Sequence, residues 1–249
     1  MSIQSIRLIA LDLDGTLTQH KTPLEERNRR ALEALQRSYS LVMVVAGTCQ
    51  RVYNQLGRFP VDIVGNYGLQ ESTIERCGDT EQLKVLRNVK VEVDRDEIVR
   101  RAEAIRSLTP YKDFVGETVE FHPSGAITLP LLGTKAAAQD KLAFDPSREK
   151  RLRIYPLVKE YFHDYNVFVG GTSSFDIVPK PYDKYMALKA YAEKKGIAES
   201  EILYVGDDFG TGGNDEPVLR AGIRCIPITD YRKFPEHLQE ILAGSGFAG

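Results

Sequence analysis

The 249-residue chain is short of cysteine, of excess charge of either sign and of long apolar runs. Cys49, Cys77 and Cys225 are too few and too scattered for a disulfide framework. With no C-x-x-C pair among them, they offer no structural zinc site either. Lys plus Arg number 33 against 35 Asp plus Glu, a net charge of −2. That balance excludes a strongly basic nucleic-acid binder and gives no pull toward anionic membranes, while leaving room for a local basic pocket. No stretch approaches the roughly 20 apolar residues that span a bilayer. The N-terminal region carries no signal-peptide pattern, because its apolar stretch from Ile6 to Leu11 runs straight into Asp12. A soluble protein of a reducing cytoplasm is expected, built as one large or two modest domains.

What is present reads as an interrupted α/β pattern. Ile6 to Leu11, Leu41 to Val45 and Val61 to Val64 are short apolar runs bounded by turn signals, the pattern of buried strands. Helical spacing over 24–38 and again near 52–56 separates them, so a parallel sheet with crossover helices is predicted. Two further strands flank the turn signal Cys77-Gly78-Asp79. The alternation then stops. Helices over 94–108 and 147–162 and two strand pairs (118–122 with 126–129, 167–169 with 174–178) predict an open sheet with both helices on one face. From Tyr182 the first pattern resumes, with a helix over 184–194, strands over 202–205 and 223–228, and helices over 217–221 and 236–242. The Gly-rich end over 244–249 is expected to fray. The expected fold is α/β: a Rossmann-like parallel-sheet core (1–82 and 180–249) with an inserted α+β cap domain (83–179).

Polar clusters follow the predicted core strands: Asp12-Leu-Asp14-Gly-Thr16, Gly47-Thr48, and Gly206-Asp207-Asp208 with Asn214-Asp215. Lys184 opens the helix before the last of these strands. Ligands of open parallel sheets bind beyond the carboxyl ends of strands, so clusters distant in sequence can converge there. Asp12 and Asp14, two apart, put both carboxylates on one side of an extended chain. A lone Asp-x-Asp is commonly a solvated turn; a second acidic cluster at another strand end turns the reading toward a hard cation, Mg²⁺. Thr48 supplies a hydroxyl and Lys184 a positive charge for a phosphate. Taken singly they read as a helix N-cap and a solvated lysine. Cys49 reads as a redox-sensitive neighbour of that site or, more simply, as a small buried residue.

In this order the clusters resemble the haloacid dehalogenase superfamily, in the branch with a large α/β cap. The sequence is most similar to the eukaryotic-type phosphomannomutase family. The likeness rests on Asp14-Gly-Thr-Leu-Thr18, Gln55-Leu-Gly57, Asn66-Tyr-Gly-Leu69, Gly170-Gly-Thr-Ser-Ser-Phe-Asp-Ile177, Tyr182-Asp-Lys184, and Gly206-Asp207 with Gly212-Gly-Asn-Asp215. The resemblance implies that Asp12 attacks phosphorus to give an aspartyl-phosphate and that Asp14 is the acid and base. It implies Mg²⁺ on the Asp12 carboxylate, the Asp14 carbonyl and Asp207. Gly47, Thr48 and Lys184 would bind the phosphoryl group, with Asn214 and Asp215 orienting Lys184 and the metal waters. Asp208 would add a metal contact or tune charge. Ser174 and Asp176 would touch the sugar phosphate, and cap closure would limit water.

One departure stands out. The mutase cap grips the distal phosphate with arginines, one after a Glu-Phe pair and one in a Gly-Arg pair. Here Glu120-Phe121 is followed by His122, the later pair reads Gly133-Thr134-Lys135, and no arginine lies between Arg106 and Arg148. Lys135 and His122 replace the arginine fork only in part, unless Arg148 or Arg151 folds inward. The expected activity is therefore a Mg²⁺-dependent sugar-phosphate phosphatase, with a hexose phosphomutase as the alternative. A phospho-aspartate signalling module is a more distant reading, since it needs neither the acid–base Asp14 nor a cap.

Overall fold

Leu8–Leu11 (β1) and Ile202–Gly206 (β10) are buried at every residue, which places them at the centre of a sheet. The protein, seen in a computed structural model, is described over residues 6–78 and 80–237. The turn residue Asp79, most of the helix expected over 236–242 and the Gly-rich end lie outside the described residues. The remaining core elements are Glu26–Gln36 (α1), Ser40–Val44 (β2), Cys49–Gln55 (α2), Asp62–Gly65 (β3), Gln70–Cys77 (β4), Thr80–Asn88 (β5), Lys184–Lys194 (α6), Glu216–Arg220 (α7) and Arg224–Pro227 (β11). They build a seven-stranded sheet in the order β11-β10-β1-β2-β3-β4-β5. The segment from β11 to β3 is parallel, and β4 and β5 return antiparallel.

Strand alternation assigns the two faces. Ile9, Leu11, Met43, Ile63, Leu203 and Val205 pack with Leu32 and Leu35 of α1 and Val52 and Leu56 near α2. Leu8, Ala10, Val42, Val44, Val64 and Tyr204 pack with Ala187, Leu188 and Tyr191 of α6 and Val218 of α7. The result is an α/β three-layer core of the Rossmann-like kind. Among the described residues no helix is long and apolar enough to cross a membrane.

The chain divides into two compact units, one of residues 1–88, 184–209 and 215–249, the other of 89–183 and 210–214. The expected change of layer at 82/83 falls inside β5, whose residues pair with β4 as far as Asn88 opposite Gln70. β5 is exposed along almost all its length, so it carries no apolar signal tying it to the core.

The second unit contains Arg95–Ser107 (α3), Glu120–Phe121 (β6), Ile127–Pro130 (β7), Ala138–Phe144 (α4), Glu149–Tyr161 (α5), Tyr165–Phe168 (β8) and Ser174–Pro179 (β9). Its antiparallel sheet runs β6-β7-β9-β8. Ile98 and Ile105 of α3 and Ile154 and Val158 of α5 pack on Ile127, Leu129, Val167, Phe175 and Ile177, so both helices cover one face. The opposite face carries the row Glu120, Thr128, Asp176 and Phe168. Helix α4 was not expected from sequence, and it buries no residue.

Candidate active site

β1 has β2 on one side and β10 on the other, all three parallel, so the order in which the chain adds strands reverses at β1. Loops diverge at such a point and leave a crevice at the carboxyl ends of the strands. Asp12 is the first residue beyond β1, and its N–H donates to the Val205 carbonyl of β10 at 2.9 Å. Asp207 is the first residue beyond β10.

Lys184 reaches this point from the first turn of α6. Its side chain is fully buried, and Nζ stands 2.7 Å from Asp12 Oδ1 and 2.7 Å from Asp215 Oδ1. Asp215 is a hub. Oδ1 also receives the Tyr204 hydroxyl at 2.5 Å, while Oδ2 receives the backbone N–H groups of Asp207 (3.1 Å) and Asp208 (2.9 Å). Asp207 in turn accepts a hydrogen bond from the buried Thr16 hydroxyl at 3.0 Å. Its carboxylate lies against Gly15, where φ is +97° and a Cβ would come within 2.3 Å of Oδ2, so only glycine fits.

Oxygens of Asp12, Asp207 and Asp215 lie within 4.8 Å of one another. Burial pushes the Asp12 carboxyl well above the ordinary range; Asp215 and Asp207 add to the rise and Lys184 opposes it. Asp207 is pushed up to about 6, first by burial and then by Asp215. The same carboxylates keep Lys184 charged despite its burial. An all-oxygen donor set whose negative charge Lys184 balances only in part fits a hard divalent cation.

Asp14 departs from expectation. Its carboxylate is not part of the acidic cluster, which Asp215 joins instead. The side chain turns to α2: Oδ2 meets Arg51 at 3.0 Å, and Oδ1 accepts from Gln55 Nε2 at 2.8 Å and the Lys21 N–H at 2.7 Å. Burial alone would raise its pKa, but the Arg51 guanidinium and these hydrogen bonds outweigh it and hold it below the ordinary value. Thr48 caps α2, accepting the Arg51 N–H at 3.4 Å, and its side chain is exposed. Gly47 immediately precedes it. Asn214 sits directly before Asp215. Cys49 is buried, gives its thiol to the Ile63 carbonyl at 3.4 Å, and burial raises its pKa, the profile of a packed thiol. Arg51, Gln55 and Tyr204 were not singled out by sequence as single site residues.

In the second unit, Ser174 donates to the Gly170 carbonyl at 3.2 Å, and the Asp176 carboxylate packs over Gly170. Lys135 lies in the turn after β7, its N–H on the Val115 carbonyl and its side chain exposed. His122 Nε2 is 2.8 Å from Thr128 Oγ1. Arg151 does not fold toward that sheet face as a free cation. It is buried, ion-paired to Asp145 at 2.9 Å, and donates to the Gly170 and Gly171 carbonyls at 2.8 Å each. Arg148 donates to the Val169 carbonyl at 3.2 Å. Arg106 is spent on Thr118 and the carbonyls of Tyr111, Pro130 and Leu131.

A family model described as eukaryotic phosphomannomutase matches residues 31–229. The chain is 27% identical over 219 residues to the phosphomannomutase of Saccharomyces cerevisiae, spanning 85% of this chain and 84% of that one. It is 24% identical to that of Encephalitozoon cuniculi, over 95% of each. Among solved structures, the IMP-nucleotidase of Plasmodium falciparum superposes with a TM-score of 0.67 at 17% identity, over the whole of this chain and 71% of that one. A haloacid dehalogenase-like hydrolase of B. subtilis gives 0.66 at 16%, over 95% and 100%. These structural likenesses carry the fold; the family assignment comes from the sequence match across most of the chain. The chain belongs to the eukaryotic phosphomannomutase family, within the haloacid dehalogenase superfamily.

Proposed function

We propose that this protein is a Mg²⁺-dependent phosphotransferase of sugar phosphates that works through an aspartyl-phosphate on Asp12, and that its principal acceptor is water. The observation that carries the reading is Asp12 itself: a carboxylate at the switch point of the sheet, held by a buried lysine and flanked by Asp207. Lys184 keeps the carboxylate oriented and balances part of the charge of the approaching phosphate. Asp12 attacks phosphorus, and Asp14, which must first take up a proton against the Arg51 guanidinium, passes that proton to the departing sugar oxygen. In the second half Asp14 takes a proton from the attacking water. The Thr48 hydroxyl and the backbone at Gly47 would hold phosphoryl oxygens. The Asp12 carboxylate, the Asp14 carbonyl and Asp207 would hold Mg²⁺, which when bound supplies positive charge against the mutual repulsion of carboxylate and phosphate. Asp215, Asp208 and Asn214 support this arrangement.

The second unit would act as the cap that selects the sugar, with Ser174 and Asp176 as its contacts. A hydrolytic outcome is supported by the arginine-poor character of that sheet face. Glu120 and Asp176 are anionic, His122 stands where the family carries arginine, and Arg106, Arg148 and Arg151 bond to their own unit. The second reading, a phosphomannomutase, is favoured by the family model and by the names of the sequence relatives. A cytoplasmic setting with small-molecule partners accompanies either reading. The deciding experiment supplies hexose 1-phosphate, Mg²⁺ and a catalytic amount of hexose 1,6-bisphosphate, and follows inorganic phosphate and hexose 6-phosphate together. Faster formation of phosphate supports the hydrolase; faster formation of hexose 6-phosphate replaces it with the mutase.

A further inference from the structure

We propose that Arg51 is a positioning residue for Asp14, locking the acid–base carboxylate through a closed ring of Arg51, Gln55 and Asp14. The inference rests on the reading of Asp14 as acid and base. Arg51 and Gln55 are four apart on α2 and therefore share a face. One arm of the guanidinium donates to Asp14 Oδ2 at 3.0 Å and another to Gln55 Oε1 at 2.6 Å. Gln55 Nε2 closes the ring on Asp14 Oδ1 at 2.8 Å and ties it to the Thr18 hydroxyl at 2.8 Å. The Lys21 N–H fixes Oδ1 from a third direction. Both carboxylate oxygens are thus set by α2 and the loop after β1, so the carboxylate plane cannot rotate freely. A lysine at position 51 would present one point charge and could not fork between the two acceptors.

Gly47 fits the same device. A Cβ at Gly47 would stand 2.0 Å from one terminal guanidinium nitrogen of Arg51 and 2.6 Å from its central carbon, so the arginine reaches Asp14 by lying across this residue. The expected use of Gly47 as a substrate contact thereby gains a second explanation, room for the arginine. About a third of the Arg51 side chain is exposed, and a methionine there would keep the aliphatic part of its packing.

The test exploits leaving groups. Nitrophenolate departs without a proton, whereas a sugar alkoxide needs one, and kcat/KM reports the steps through its departure. Misplacing the acid should therefore cost on the order of tenfold to a hundredfold in kcat/KM on a hexose 6-phosphate, and less than about threefold on p-nitrophenyl phosphate. Arg51→Met should give that split, and so should Arg51→Lys, which keeps a charge but cannot fork between the two acceptors. Asp14→Asn is the control. If Asp14→Asn harms both substrates alike, the acid role itself fails. If Asp14→Asn splits them and Arg51→Met or Arg51→Lys does not, the positioning role fails alone. Equal loss on both substrates in Arg51→Met, with weaker competitive inhibition by inorganic phosphate, would make Arg51 a phosphate ligand and overturn the proposal.

Discussion

The Tyr204 hydroxyl and Lys184 Nζ converge on one oxygen of Asp215, at 2.5 and 2.7 Å. The other oxygen takes two backbone N–H groups from the loop that carries Asp207. Asp215 is therefore saturated with four donors, and it fixes both the lysine that faces Asp12 and the backbone that presents Asp207. Its part is to anchor the site, and the charge available to a cation comes chiefly from Asp12 and Asp207.

Tyr204→Phe tests that anchoring. The ring stays packed among Ala10, Leu188 and Val218, and only the hydrogen bond to a charged acceptor is lost. Urea unfolding should show a loss of about 1.5–3 kcal/mol, the range for hydrogen bonds to ionised groups. An unchanged midpoint would mean that Asp215 is held by its other donors alone.

Asp12→Asn should abolish phosphoryl transfer with the fold intact. The amide is nearly isosteric but not nucleophilic, and Lys184 keeps Asp215 as its counter-charge. Circular dichroism and turnover measured on the same sample decide it; a well-folded variant with normal turnover removes Asp12 from the chemistry.

The strand ends were legible in the sequence because buried β1, β2 and β10 are continuous apolar runs that stop at Asp12, Ala46 and Asp207. Convergence of these ends followed from the topology of parallel sheets. The Arg51–Asp14 pair was not legible. Arg51 lies on a short helix whose pattern shows an ordinary polar face, and its reach depends on Gly47 having no side chain. The saturation of Arg151 was equally hidden, since a charged residue in an amphipathic helix reads as solvated; its partners Asp145, Gly170 and Gly171 are brought in by the fold. Helix α4 escaped because, with no buried residue, it has no apolar stripe.

That buried pair gives a pH signature. Burial alone would raise the Asp145 pKa, but the Arg151 side chain and the Lys150 and Arg151 N–H groups outweigh it and hold it below 3.8. The folded state therefore binds fewer protons than the unfolded chain. The stabilisation is present above the unfolded value and is lost as pH falls through the folded one. Urea midpoints measured from pH 6 down to about 2.5 should fall more steeply below about 4 in the wild type than in Asp145→Asn. Parallel curves would show that the pair contributes nothing to acid unfolding.

Metal binding carries the opposite sign. Asp207 is pushed up to about 6, above its ordinary 3.8, first by burial and then by Asp215. Its contribution to stability is fully present below the ordinary value and declines as pH rises through about 6, because the ionised group is then held out of water and repels Asp215 and Asp12. A divalent cation relieves that repulsion and competes with the proton. The rise in melting temperature on adding Mg²⁺ should therefore be larger at pH 7.5 than at pH 5, and Asp207→Asn should remove most of it. Full activity in EDTA after exhaustive metal removal, or a Mg²⁺ shift independent of Asp207, would contradict this site.

On the proposed reading, placing an arginine in the second unit should move the protein toward mutase chemistry. In the proposed scheme both activities share a phosphorylated Asp12 and differ in what attacks it next. A mutase must retain a bisphosphate through reorientation, which demands a grip on the phosphate that is not reacting, whereas water needs none. His122 is the position for the change, because it follows β6 and its ring meets Thr128, which lies in register with Asp176. Thr134 is less suitable, since its hydroxyl receives the Glu117 N–H at 2.9 Å and holds the turn. His122→Arg gives up one hydrogen bond to Thr128, about 0.5–1.5 kcal/mol, and gains charge-assisted bonds to phosphate of about 1.5–3 kcal/mol. The latter corresponds to roughly a tenfold to a hundredfold gain in affinity for the bisphosphate. Asp176 opposes the gain by competing for the new guanidinium, so the shift should be nearer the lower figure. With hexose 1-phosphate and catalytic hexose 1,6-bisphosphate, the ratio of hexose 6-phosphate to inorganic phosphate should rise about tenfold over wild type. An unchanged ratio in a folded variant would show that the missing arginine is not what directs the phosphoryl group to water.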